Sequence, residues 1–243
     1  MTPRYLGVLN AGSSSVKFAL RRTGPELPLT LSGQVEAIGV APRLELKDSD
    51  GTQVREQNWP AAGFDHSAAT QAIITVMQTQ LGSGAIAAVG HRVVHGGPNL
   101  RRHCLIDDAV LGQLEAATAF APLHNPPALS VIRFAQEHFP QLPQVACFDT
   151  AFHAGMPDVA RILPLPLQLR SDGIHRYGFH GLSCESVVRQ LGDDLPDRLI
   201  IAHLGNGVSV TAVKGGHSDG ERIAAQRHQR DEPPDRPPGG EAR

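Results

Sequence analysis

Two short stretches repeat one pattern, and the repetition limits the folds open to the chain. Residues 8–20 (VLNAGSSSVKFAL) and 201–213 (IAHLGNGVSVTAV) each pass from an apolar strand through a polar residue and a Gly-containing turn into a second apolar strand. β-Branched and apolar residues suit the pleated flanks, and the Gly-rich cluster cannot continue a ladder. One such unit near each end predicts a duplicated architecture with one phosphate-facing turn per half.

Between the units, helix and strand periods alternate. Ala69, Ile73, Val76, Met77 and Leu81 are spaced for one helical face over 67–81, and residues 86–94 return as a strand-like apolar run ending at Gly96-Gly97. Helices are expected at 108–119 and 126–138, the second capped by Asn125 with Pro126-Pro127 in its first turn, and a strand at 144–149. The loop IHRYGFHG follows from 174, then a helix over about 182–191 closed by Gly192. This is mixed α/β organisation, read as domains over 1–150 and 151–216. The last 27 residues hold no aromatic side chain, four prolines, and only Ile223 and three alanines as apolar groups. They are expected to form a disordered tail over 217–243. The break after Gly216 resembles a truncation or a shifted reading frame.

Composition excludes several classes of function. A net charge of −2 and a pI near 6.6 give no basic surplus for nucleic acid or an anionic membrane. The apolar run at 5–9 is broken by Asn10, too short for a signal peptide or a membrane span. Cys104, Cys147 and Cys184 are scattered and form no Cys-x-x-Cys pair. The expectation is a reduced, cytoplasmic protein with a small anionic substrate.

The polar residues bear this out in their spacing. Residues 10–17 (NAGSSSVK) gather backbone N–H groups, three hydroxyls, one ammonium and one amide oxygen in a single turn, which suits a phosphate with its metal, though a polar hairpin turn has the same composition. Lys17 favours the phosphate reading, because lysine occurs only at 17, 47 and 214. Arg92 sits at a polar position of the apolar strand GHRVVHGG, where its fork can grip a carboxylate or phosphate bidentately. His91 and His95 lack a third ligand nearby, which argues against a metal pair. Asp149 closes the strand QVACFD, where open α/β sheets present functional groups, and a capping role is equally compatible. RYGFHG has the make-up of a ligand wall, and His203-Leu204-Gly205-Asn206-Gly207 could be a plain Asn-Gly hairpin.

VLNAGSSSVK, GHRVVHGG, APLHNPP, CFDTAFH, RYGFHGLS and AHLGNGVSV, in this order and spacing, resemble the acetate kinase family over residues 5 to about 216. The resemblance implies the duplicated RNase H-like fold of actin-like ATPases and sugar kinases, with the second domain incomplete. It implies phosphoryl transfer from ATP to acetate with Mg²⁺, giving ADP and acetyl phosphate. Asn10 would contact the metal and Lys17 the ATP phosphates, with Ser13 and Ser15 lining that turn and His203, Leu204, Gly205, Asn206 and Gly207 forming the second. Arg92 would hold the acetate carboxylate, and Val94, Leu123 and Phe179 would enclose its methyl group. Asp149 would act as the catalytic aspartate, directly or through the metal's water, and His180, helped by His124, would stabilise the transferring phosphoryl group.

After Gly216 the family continues with an Asp-Thr-Ser-Met-Gly type segment, a second catalytic arginine, adenosine-binding loops and a metal-linked glutamate, none of which this sequence contains. A lost arginine of that kind alone costs on the order of 10³–10⁵ in rate, so little activity is expected. A propionate or butyrate kinase of the same superfamily and a non-catalytic fragment are the competing expectations. Cys184 stands where related sequences often carry a larger residue. Homodimers are usual in the family, through a surface lying largely in the second domain, so no oligomeric state follows here.

Overall fold

The first repeat unit folds as a hairpin of β1 (Arg4–Ala11) and β2 (Val16–Arg22) in the computed structural model, which describes residues 3–81, 84–205 and 207–224. Its alternation is strict: Leu9, Ala11, Val16, Phe18 and Leu20 are buried. Asn10 and Lys17, paired across the hairpin, belong to the opposite face. The meander β3 (Leu29–Glu36), β4 (Arg43–Asp48) and β5 (Gln53–Asn58) extends the sheet antiparallel from β2. Helix α1 (His66–Leu81) then carries the chain to β6 (Ala85–Val93), parallel to β1. The short β7 (Cys104–Leu105), α2 (Asp108–Ala116) and α3 (Asn125–His138) lead to β8 (Gln144–Phe148), parallel to β6. The strand order is β5-β4-β3-β2-β1-β6-β8-β7.

The main core lies between this sheet and α1 with α3: Leu20, Val35, Leu44, Ala69, Ile73 and Ala135 are fully inaccessible. Each buried Leu, Ile or Val contributes about 1.5–3 kcal/mol. That burial fixes which face of the sheet is left for polar side chains.

Past β8, the short helices α4 (Asp158–Arg161) and α5 (Leu167–Ser171) precede α6 (Gly181–Leu191), and the second unit follows as β9 (Arg198–Leu204) and β10 (Val208–Lys214), antiparallel as in the first. Cys184, Val187 and Val188 of α6 pack against Leu199, Ile201 and Val213. Gly192 ends α6 at φ 50°, as its composition predicted.

Three expectations need correction. The 108–119 helix ends at Ala116, and the chain tightens into a 3-10 turn over Ala117–Phe120. Asn125 does not cap α3: His124 holds the N-cap position without a side-chain bond, and the Asn125 amide donates to the His95 carbonyl at 2.9 Å. Residues 217–224 are not tail but a third strand of the second sheet, β11 (His217–Ala224), paired antiparallel with β10. A hairpin partner outweighs low hydrophobicity here. Residues 225–243, the rest of the expected tail, lie outside the described residues.

Candidate active site

Cross-strand register assembles the first part of the site. Asn10 stands opposite Lys17 on one side and Arg92 on the other, so these side chains share the sheet face away from α1 and α3. Arg92 Nη1 donates to Asn10 Oδ1 at 3.1 Å. Asp149 follows β8 directly, held by its backbone N–H on the Val93 carbonyl at 3.1 Å. Its carboxylate receives Arg92 Nε at 3.2 and 3.1 Å and Arg92 Nη2 at 2.5 Å. Asp149 is 3% exposed. A guanidinium has five N–H groups; three are engaged here, and two remain for another acceptor.

The second part comes from the RYGFHG loop. Gly181 N–H donates to the Asp149 carbonyl at 2.8 Å, and a Cβ at 181 would lie 2.2 Å from that oxygen. Only glycine permits this approach. His180 just before it is left-handed, at φ 57°, and forms the N-cap position of α6. Its Nδ1 lies 2.9 Å from Ser209 Oγ, and its ring stacks on His203 at 4.1 Å and 13°. Ser209 and His203 are cross-strand partners in β9 and β10. Burial, then the neighbouring His203, lowers the His180 pKa, and burial followed by Arg92 lowers that of His124. Both shifts favour the neutral imidazole, a hydrogen-bonding group rather than a cation.

The remaining predicted residues are less tightly gathered. Lys17 and Ser13 are exposed and Ser15 half-buried; their turn is closed by Gly12 N–H on the Ser15 carbonyl at 2.7 Å and braced by the His66 ring at 2.8 Å from the Gly12 carbonyl. Leu204 is 78% exposed, Gly205 N–H donates to the Gly207 carbonyl, and Asn206 lies outside the described residues. Val94 is buried and Phe179 lies against the His95 ring at 5.7 Å, whereas Leu123 is 62% exposed. The apolar wall expected from these three is thus open at Leu123.

Three residues without a predicted role brace the loop. His153 is buried between Ser218 Oγ, 2.9 Å from Nδ1, and the Phe179 carbonyl, 2.9 Å from Nε2. Glu221, from β11, accepts the Phe179 N–H at 2.9 Å. His153 belongs to the motif CFDTAFH, but its partners lie 26 and 65 residues away. Glu221 sits among residues whose composition reads as solvated, so no local signal marks it.

His91 bonds Gln144 Oε1 at 2.7 Å, and His95 Nδ1 accepts the Gly97 N–H at 2.8 Å within a cluster of Phe120, Tyr177 and Phe179 rings. Among the described residues no group of three His, Cys, Asp or Glu is placed to hold a metal. The nearest fit is the Asn10 amide oxygen with the Asp149 carboxylate, two hard oxygen donors bridged by Arg92. Such a set suits a Mg²⁺ that keeps its waters and substrate phosphates.

The acetokinase family model matches residues 5–220. This chain belongs to the acetokinase family. The match runs four residues beyond the compositional break at Gly216. The acetate kinase of Shewanella amazonensis is 46% identical over 226 residues and that of Nitrobacter hamburgensis 43% over 217, each covering 87% of this chain. The chain spans about half the length of these curated relatives, 54% in both cases. Among solved structures, a propionate kinase from Francisella tularensis superposes with a TM-score of 0.78 at 36% identity, covering 92% of this chain and 57% of its own. Porphyromonas gingivalis acetate kinase gives 0.78 at 33%, covering 90% and 57%. The fold is thus that of the acetate and propionate kinases: β3-β2-β1-β6-β8 forms the RNase H-like sheet, and β9-β10-β11 begins its repeat. No helix among the described residues is long and apolar enough to cross a membrane.

Proposed function

We propose that Arg92 binds acetate and that this site serves Mg²⁺-dependent phosphoryl transfer between ATP and the bound carboxylate. The observation that carries the reading is the Arg92 guanidinium, pinned by Asp149 and Asn10 with two N–H groups to spare. A fork fixed in this way has little rotamer freedom left to lose when a carboxylate docks. Acetate brings its own anionic oxygen, so the protein needs no activated nucleophile, only alignment and charge neutralisation.

Each side chain then has a limited task. Asp149 orients Arg92 and keeps that charge partly balanced until substrate arrives. Lys17, in the same cross-strand row, supplies a positive charge for phosphate oxygens. His180, neutral and bonded to Ser209, offers a hydrogen bond without repelling the cationic groups. Asn10 and Asp149 are the residues that would hold Mg²⁺, which when bound supplies charge neutralisation to the phosphates. These residues account for substrate binding and part of the charge neutralisation that phosphoryl transfer requires.

A second reading, propionate as acceptor, is favoured by one observation: Leu123 is 62% exposed, so the methyl side of the site is not closed. A methylene in such a pocket is worth about 1–3 kcal/mol.

The test pairs binding with turnover. Saturation-transfer NMR with acetate and propionate, and acetyl phosphate formation from ATP and Mg²⁺, are measured for the chain and for Arg92→Lys and Arg92→Ala. Folding of each variant is checked by circular dichroism. An acetate signal lost in folded Arg92→Lys supports the assignment, since lysine keeps the charge but not the fork. Equal signals in all three proteins would refute it.

A further inference from the structure

A second basic concavity lies apart from the Arg92 row. A cleft of about 790 Å³ is lined by Arg101, Arg102 and His103 from the segment after β6, by Ala151, Phe152, Ala154 and Gly155 after β8, by Glu185, Val188 and Arg189 of α6, and by His217 with its neighbours at the β10–β11 turn. Three guanidiniums and two imidazoles from three segments thus converge against one carboxylate.

That carboxylate is already engaged: Glu185 lies 3.1 Å from His103 Nε2. Among the described residues no acidic group is within 4.0 Å of Arg101, Arg102 or Arg189, whereas Arg43, Arg92, Arg133 and Arg161 each have at least one. Arg101 is not free to swing, because its guanidinium donates to the Ala154 carbonyl. His103 is likewise fixed, with Nδ1 accepting the Phe148 N–H at 3.1 Å. The cleft has one anchored donor in Arg101, two further guanidiniums on exposed stems, and an apolar side from Phe152 and Val188; both His103 nitrogens are already engaged, by the Phe148 N–H and by Glu185.

We propose that this cleft is a binding site for a small multivalent oxyanion, a polyphosphate or polycarboxylate, distinct from the Arg92 site. Repulsion among three guanidiniums that have no acidic partner among the described residues is relieved when such an anion bridges them, and their planar forks match phosphate or carboxylate oxygens. A monovalent anion would bridge fewer of them, so affinity should rise with anion charge. The proposal does not depend on the kinase reading.

Isothermal titration of the chain with inorganic pyrophosphate and, separately, tricarballylate, without added metal, tests it. Three proteins are compared: the unaltered chain, the double variant Arg102→Gln/Arg189→Gln, and Lys17→Gln. All substituted side chains are exposed, so folding should persist, and circular dichroism checks it. The expected result is at least tenfold weaker binding in the double variant and retained cleft binding in Lys17→Gln. Tighter pyrophosphate than tricarballylate would identify phosphate as the preferred oxyanion, and the reverse a carboxylate. Absence of binding at millimolar ligand, or binding unchanged in the double variant, would overturn the proposal.

Discussion

Glu221 should make the protein less stable as pH rises, and Glu221→Gln should remove that dependence. Its carboxyl is buried; one oxygen accepts the Phe179 N–H, but Oε1 has no partner. His153 Nε2, 3.6 Å from Oε1, faces the Phe179 carbonyl instead. Burial therefore raises the Glu221 pKa from 4.5 to about 7, against the pull of the Phe179 N–H. The sign follows from proton counts: between pH 4.5 and 7 the folded state holds a proton that the unfolded state releases, so stability falls with rising pH through that window. Two and a half pKa units correspond to about 3 kcal/mol, fully expressed above pH 7. Glutamine keeps the acceptor for Phe179 and cannot ionise. Urea unfolding at pH 5 and pH 8 is the assay: relative to the parent, Glu221→Gln should gain about 2–3 kcal/mol between the two conditions. A variant less stable than the parent at pH 8 would show that the ionised carboxylate is well partnered, and the reasoning would fail.

Acid should act in the opposite sense through three histidines. Burial lowers the pKa of His91, His95 and His153 from 6.5 to about 4, so stability is lost as pH falls from 6.5 towards 4, by up to roughly 3 kcal/mol each; urea midpoints that stay flat across that range would contradict this. Arg92→Ala leaves Asp149 buried without its cation and should cost about 3–5 kcal/mol in urea unfolding. Gly181→Ala should cost about 2–4 kcal/mol, because its methyl group meets the Asp149 carbonyl, and should shift the His180 ring resonances in NMR spectra.

Elements with a clear period were legible in the sequence. The two hairpins, the helix at 67–81 and the strand before Gly96 show themselves because one buried face imposes its spacing. The meander after β2 went unread. Leu44 and Leu46 alternate over only a few residues, and β5, QVREQN, buries no residue fully, so it carries no amphipathic signal. Within the site, Arg92 and Asp149 stood out separately as polar groups on or beside apolar strands. Their mutual bond depends on the register of β6 against β8, which pairs Val93 with Phe148 just before Asp149. The brace of His153, Ser218 and Glu221 is less legible still, since it joins two segments more than sixty residues apart to the Phe179 loop. A glutamate in a stretch poor in apolar residues reads as solvated until the ladder turns it inward.

The position of Arg92 rests on how β6 absorbs one extra residue. Ile86 pairs with Tyr5 but Ala88 with Leu6, so Ala87 is bulged out of the ladder. The burial pattern records the same break: Ile86 and Val89 both face inward although three residues apart, whereas Val89, His91 and Val93 alternate regularly. Deleting Ala87 would leave Ile86 and Val89 two apart, the natural strand spacing, and would keep Arg92 opposite Asn10. Deleting Gly90 has no such remedy. Either His91, Arg92 and Val93 change face, or the preceding residues do, and a one-residue slip exchanges buried for exposed side chains. The first outcome buries an arginine away from Asp149, and the second exposes Val89. The Ala87 deletion should therefore change stability by no more than about 1 kcal/mol and keep the acetate binding proposed for Arg92, while the Gly90 deletion should cost more than about 3 kcal/mol and lose it. Urea unfolding with acetate saturation-transfer NMR on both variants decides the matter. Equal damage from the two deletions would mean that the bulge, rather than the alternation beyond it, positions Arg92.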